Sequence, residues 1–136
     1  MLSMKFSLVV HSAPYSSQSA ATALHFAQQL LIQGHEIYRL FFFGDGVHNA
    51  SKLAVVSQDE THIQQQWDSL IAENNIDSVV CVSSALKRGI INLEESNRHD
   101  LESISLSDNS EIAGLGQLID ASINSDRLVN FGWEHE

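Results

Sequence analysis

The chain has 136 residues, 43% of them hydrophobic, one proline, and a formal net charge of −10 from seven Lys and Arg against seventeen Asp and Glu. That length suits one packed domain, residues 1–136, and so acidic a surface repels a phosphate backbone, so a direct nucleic-acid partner is not expected. One cysteine cannot close an internal disulfide, no apolar run is long enough to cross a bilayer, and the apolar part of "MLSMKFSLVVHS" is too short for a secretory signal, so a cytoplasmic protein without membrane contact is expected.

The predicted elements alternate between strands and helices. Residues 5–11, "KFSLVVH", read as a first strand; Met4 opens it, so either Met1 or Met4 can serve as the start. A polar loop, "SAPYSSQS", precedes a helix over residues 19–33, in which Ala20, Leu24, Ala27 and Leu31 recur at helical spacing and Gly34 supplies the stop. Residues 35–43, "HEIYRLFFF", form a second strand, and three consecutive phenylalanines mark it as covered on both faces, as parallel strands are. Gly44 and Gly46 break it, and "DGVHNASKLAVV" reads as irregular. Ser57 and Glu60 match a capping box for a helix that carries Ile63, Trp67, Leu70 and Ile71 on one face and ends near Asn74. A third strand follows over residues 77–82, then a short helix, "SALKRG", with Ser83 or Ser84 as its N-cap and Gly89 as its end. Residues 92–110 are polar and poorly periodic; a helix over 115–123 and a closing strand, "RLVNF", complete the chain.

This alternation predicts an α/β fold: a three-layer α/β/α domain with a mostly parallel central sheet and right-handed crossovers. Chemistry in open sheets of this kind gathers beyond the carboxyl ends of the strands. Cys81 stands at one such end. A sulfur placed before a helix N-terminus meets unpaired amides and the positive end of the helix dipole, and both favour thiolate over thiol. Lys87 and Arg88 add positive charge about one turn on. The residues leave two readings open: a small apolar residue packing the end of a strand, or an exposed thiolate poised for exchange at sulfur.

Together "VCVSSALKRGI", "FFFGDGVHNA", "GLGQLIDASINSDRLVNF" and the opening "MKFSLVVHSAPYSSQSAATALHFAQQLLIQGHEI" resemble the DsrE-like sulfurtransferase family, from Met4 to Phe131. The resemblance implies the three-layer domain. It also implies a heterohexamer, a dimer of heterotrimers with TusB- and TusC-like paralogous subunits. In that assembly Cys81 would take sulfur from a TusA-like persulfide carrier and pass it to a TusE-like acceptor, towards 2-thiouridine at the tRNA wobble position. Val82, Ser83 and Ser84 are then the candidates for stabilising a persulfide on Cys81, and no metal or organic cofactor is implied. Two departures stand out: Ser83 and Ser84 where such subunits tend to carry alanines, and the tail "GWEHE" past the last strand. A single cysteine suits a relay, because a resolving thiol in the same chain would discharge the persulfide as a disulfide.

Other features of the residues compete with this reading. The serine-rich loop before the first helix sits where flavodoxin-like proteins cradle a phosphate, but it lacks their glycine- and threonine-rich pattern, and a plain capped loop is the expectation. The histidines at 11, 25, 35, 48, 62, 99 and 135 have no ligand spacing. His11 and His48 lie near strand ends and are candidate bases for Cys81, while Asp45 and His48 equally fit a solvated turn. A catalytically silent binding subunit with the same fold is the alternative from another functional class. Its apolar candidates for a partner are "LIDASI" and "FFF", for both of which core packing is expected.

Overall fold

The computed structural model describes residues 2–132. The alternative start at Met1, His135 and the acidic tail beyond Gly132 lie outside the described residues. Five strands, β1 (Lys5–Val10), β2 (Glu36–Phe42), β3 (Ser78–Cys81), β4 (Glu111–Ala113) and β5 (Arg127–Phe131), form one sheet in the order β4-β3-β2-β1-β5. Every pairing in it is parallel. Five α-helices accompany it: α1 (Ser19–Ile32), α2 (Ile63–Asn74), α3 (Val82–Lys87), α4 (Leu93–Arg98) and α5 (Gly116–Asn124).

The period of two along the strands divides the core into two faces. Leu8, Val10, Leu40, Phe42 and Val80 point to one side, against Ala20, Ala23, Leu24 and Ala27 of α1, Trp67 and Ile71 of α2 and Ala85 of α3. Val9, Phe41, Val79 and Cys81 point to the other, where Leu118 of α5 covers them. The three layers are therefore unequal, with several helices on one face and α5 on the other. The phenylalanine run follows this alternation: Phe41 and Phe42 are buried on opposite faces, as a doubly covered strand requires, and Phe43 is half-buried beyond the strand end.

The predicted helix ends are partly corrected. At the end of α1, Gly34 adopts φ 87°, and the amide of His35 donates to the Leu30 carbonyl at 2.9 Å, closing the helix as glycine closings do. The capping box at Ser57 and Glu60 caps no helix: the Glu60 amide donates to the Ser57 carbonyl at 3.0 Å in a turn, and α2 starts later, at Ile63. Its first amides are satisfied from elsewhere. His62 Nδ1 accepts from the Gln65 amide at 3.2 Å, and the Tyr15 hydroxyl, from the loop after β1, accepts from the Ile63 amide at 2.9 Å. "DGVHNA" is a 3-10 helix over Gly44–Ala50, not irregular. Residues 92–110 contain α4 and an antiparallel bridge from Leu106 to Ser51, and β4 follows at once.

α5 and the sheet are joined by a charged cluster. Arg39, on β2 and nearly buried, donates to Asp77 Oδ2 at 2.8 Å through Nε and to Asp120 Oδ2 of α5 at 2.8 Å through Nη1; the Tyr38 hydroxyl donates to the same Asp120 oxygen at 2.7 Å. Hydrogen bonds from Tyr38 and then Arg39 hold the Asp120 carboxyl below its ordinary range. Accepting that bond, Asp120 in turn raises the Tyr38 phenol. No helix among the described residues is long and apolar enough to cross a membrane.

Candidate functional site

Cys81 is the last residue of β3 and the residue that caps α3, with extended backbone angles of φ −63° and ψ 126°. This corrects the expected N-cap: Ser83 and Ser84 lie inside the helix, and cysteine takes the half-in position. An N-cap side chain lies beside the amides of the second and third helical residues, here Ser83 and Ser84, although Cys81 forms no cap hydrogen bond to them. Cys81 Sγ lies 3.5 Å from Ser83 Oγ. Burial pushes the Cys81 thiol up, but the hydroxyls of Ser83 and Ser84 and the amides of both residues outweigh it, and the thiol lies below its ordinary value.

The switch in helix direction explains why these groups meet here. In the ladder, Cys81 pairs with Ala113 at the carboxyl ends of β3 and β4. The chain leaves β3 into α3, which packs on the face of α1 and α2, and leaves β4 into α5, which packs on the opposite face. In open sheets ligands bind beyond the carboxyl ends of strands whose connections diverge in this way.

The expected exposure of the sulfur is overturned. Cys81 is only 3% exposed, among Val9, Phe41 and Val79 and under the half-buried Phe43, Ala113 and Leu118. The physical reason is its parity: Cys81 follows Val79 on the α5 face, so its side chain enters the thinner hydrophobic layer. It is not sealed in hydrocarbon, because Ser83, whose hydroxyl reaches the sulfur, is itself exposed. A groove of about 210 Å³, lined by Val9, His11, Phe43, Leu118, Leu128 and Asn130 among others, borders the same cluster.

The other predicted residues are distributed as follows. Val82 begins α3 and is half-buried. Lys87 is exposed, and Arg88 is turned to the loop after β2, with Nε donating to Asp45 Oδ1 at 2.7 Å and Nη1 to the Ser84 carbonyl at 3.2 Å. His11 shares a 3.0 Å hydrogen bond with Asn130 and meets Phe43 edge-on, so it lines the groove without bonding to the sulfur; His48 lies in the 3-10 helix. At the start of α1 the N-cap residue Gln18 makes no side-chain cap bond, while Ser17 Oγ, from the serine loop, accepts from the Ser19 amide at 3.3 Å. Among the described residues no three His, Cys, Asp or Glu converge as metal ligands would. Sequence reasoning misses Gly44, whose amide donates to Ser84 Oγ at 3.0 Å; on sequence grounds that glycine is only a strand breaker.

The profile of the DsrE/DsrF-like family matches residues 4–131. The chain belongs to that family. Among curated DsrE/DsrF-like proteins, it is 44% identical to a protein named Sulfurtransferase TusD homolog from Pseudomonas aeruginosa, covering 95% of this chain and 98% of the relative. It is 40% identical to one of the same name from Vibrio vulnificus, covering 96% and 100%. The fold agrees with the crystal structure of the ychN protein from E. coli at a TM-score of 0.74 and 26% identity, covering 94% of this chain and 99% of that one. That these full-length relatives are named sulfurtransferases supports the same activity here.

Proposed function

We propose that this DsrE/DsrF-like chain is the sulfurtransferase subunit of a sulfur relay, with Cys81 as the residue that carries the sulfur. The observation that supports it most is the sulfur at the carboxyl end of β3, 3.5 Å from the Ser83 hydroxyl and set just before the first turn of α3. Those groups stabilise an anion, whether thiolate or terminal persulfide. In the first step the Cys81 thiolate attacks the outer sulfur of a donor persulfide, R–S–SH. The S–S bond of the donor breaks, the donor leaves as the thiolate R–S⁻, and Cys81 becomes Cys–S–SH. In the second, an acceptor thiolate attacks that outer sulfur, and Cys81 returns to thiolate. Both steps are exchanges at sulfur, so no external oxidant or reductant is consumed.

On this reading the donor is a TusA-like carrier and the acceptor a TusE-like protein, on a route that ends in 2-thiouridine at the tRNA wobble position. The net charge of −10 suits a subunit that meets proteins and leaves the tRNA to a later component. TusB- and TusC-like paralogues complete the assembly as a dimer of heterotrimers. The outer face of α5 supports a protein partner: Leu115, Ile119 and Ile123 are exposed there, the last two at 60% and 73%. Core packing, the expected use of "LIDASI", accounts for Ala121 and half-buried Leu118 but not for these isoleucines.

The burial of Cys81 favours one rival, a catalytically silent subunit that keeps the fold and builds the complex. Transfer of labelled sulfur from a persulfide-charged carrier separates the two. The relay reading requires that the wild-type chain take up label and that Cys81→Ser take up none while still assembling. Label on the Cys81→Ser protein at the wild-type level would overturn it.

A further inference from the structure

The groove beside the site has so far no task, and it stops short of the sulfur. Val9 and His11 line it from the end of β1, Leu128 and Asn130 from β5, Phe43 from the end of β2, and α5 closes it; among the described residues none of β3 or β4 lines it. The groove and the apolar cluster around Cys81 share three side chains: Val9, Phe43 and Leu118. Val9 is fixed inside the sheet at 2% exposure, so Phe43 and Leu118, both half-buried, are the part of this shared wall that can move.

Register places Phe43 beside Cys81. β2 pairs with β3 through Phe41 and Val79, then through Phe42 and Val80. Phe43 continues the line of β2: its backbone is extended, at φ −126° and ψ 148°, and its amide donates to the Val10 carbonyl at 3.0 Å. One rung beyond the last pair it is level with Cys81, and the period of two puts both side chains on the α5 face. The Phe43 ring stacks on Phe41 of the same face at 6.3 Å between centroids, and it meets His11 edge-on at 5.7 Å on the side away from β3. In strand order the row at the carboxyl end of the sheet is His11, Phe43, Cys81 and Ala113.

Exchange at sulfur needs the attacking and attacked atoms to meet, and its rate follows access. With Cys81 at 3% exposure, that meeting requires a side chain to move. We propose that Phe43 is the access residue for this exchange: its ring stands between the groove and Cys81, and a turn of that ring out of the row lets a persulfide reach the sulfur through the groove. Contacts with Phe41 and His11 hold the ring closed, and each is weak enough for thermal opening. The proposal rests on the relay reading for its purpose, but the gate is a property of the isolated chain. Phe43 controls approach and takes no part in bond making.

The test is alkylation of Cys81 by iodoacetamide in the full-length protein, without donor or acceptor. Rates are compared on the high-pH plateau, where the thiol is ionised in every variant, so a change in its acidity cannot imitate a change in access. Phe43→Ala is expected to raise the plateau rate by about tenfold, the factor that losing ring contacts of this kind sets on an opening equilibrium. Phe43→Leu should fall between Phe43→Ala and wild type. Leu24→Ala, in α1 on the opposite face, controls for general loosening: it lowers stability and should leave the rate unchanged. Urea below the unfolding transition separates ring motion from unfolding, because turning one ring exposes little surface. The wild-type rate should stay flat, whereas entry by unfolding would make it climb. A Phe43→Ala rate equal to wild type, as entry past Ser83 would give, overturns the proposal. So does an acceleration matched by Leu24→Ala, or a wild-type rate that climbs with urea. Should Phe43→Ala fail to fold, Phe43→Leu against wild type decides. No sulfur is transferred in this assay, so failure of the relay leaves its outcome untouched, and an ungated thiol leaves the relay standing.

Discussion

Cys81 and Ala113 face each other on the last rung of the ladder between β3 and β4, and immediately beyond them the chain departs to opposite faces of the sheet. This divergence places the start of α3 at the sulfur. A thiol in that position should ionise more readily than a free one. Because its value is depressed, the thiolate population persists to lower pH than the ordinary thiol midpoint of about 8.5. Alkylation followed across pH should give a midpoint below that of a denatured control of the same chain. A midpoint at or above the control would mean that burial dominates.

The position of the site is legible in the sequence, and its surroundings are less so. Alternating apolar strands and helices locate Cys81 at a strand end, and the parallel fold follows from the order of elements. β4 is invisible because Glu111–Ala113 is only three residues long, at a sheet edge and after a polar stretch. The start of α2 is displaced because its caps come from His62 and from Tyr15, far away in sequence, and a local capping pattern carries no information about such partners. The burial of Cys81 depends on which face α5 covers, a tertiary fact.

The cluster of Arg39, Asp77 and Asp120 should be structural. Arg39→Met removes charged hydrogen bonds to two carboxylates that are each partly solvated, with side chains 44% and 42% exposed. A loss of about 2 kcal/mol in stability is expected, less than a fully buried pair would cost. Denaturant unfolding at neutral pH checks it. An unchanged midpoint would show that the cluster is dispensable.

Asp120 adds a pH dependence of defined sign. Its folded-state value is depressed, so its contribution is complete above the ordinary carboxylate value of about 3.9 and is lost as pH falls through the depressed folded value. Asp120→Asn should therefore be less stable than wild type at neutral pH, and the difference should shrink on acidification. A difference that grows towards low pH would contradict the assignment.

Two glycines near the site should respond in opposite ways. Gly46→Ala forces a Cβ to within 1.9 Å of the Val10 carbonyl oxygen, and backbone must move; a cost of at least about 3 kcal/mol is expected. At Gly114, between β4 and α5, an added Cβ meets nothing within 4 Å. Gly114→Ala should be neutral or stabilise by up to about 1 kcal/mol. Thermal unfolding of the pair provides the comparison, and similar effects at both positions would argue against the close approach of Gly46 to the end of β1.

The outer face of α5 offers a test of assembly separate from chemistry. Ile119→Glu with Ile123→Glu changes exposed positions, so stability of the isolated chain should alter by no more than about 0.5 kcal/mol per site. Association with paralogous subunits, read by size-exclusion chromatography of the mixed proteins, should be lost. Retained association would place the interface elsewhere.

Transfer of sulfur through the one cysteine is read by intact-mass spectrometry with peptide mapping. After incubation with a persulfide-charged carrier, a gain of one sulfur atom is expected, located on the peptide containing Cys81 and removed by an acceptor thiol. A protein that folds, meets the charged carrier and gains no sulfur at Cys81 would contradict it.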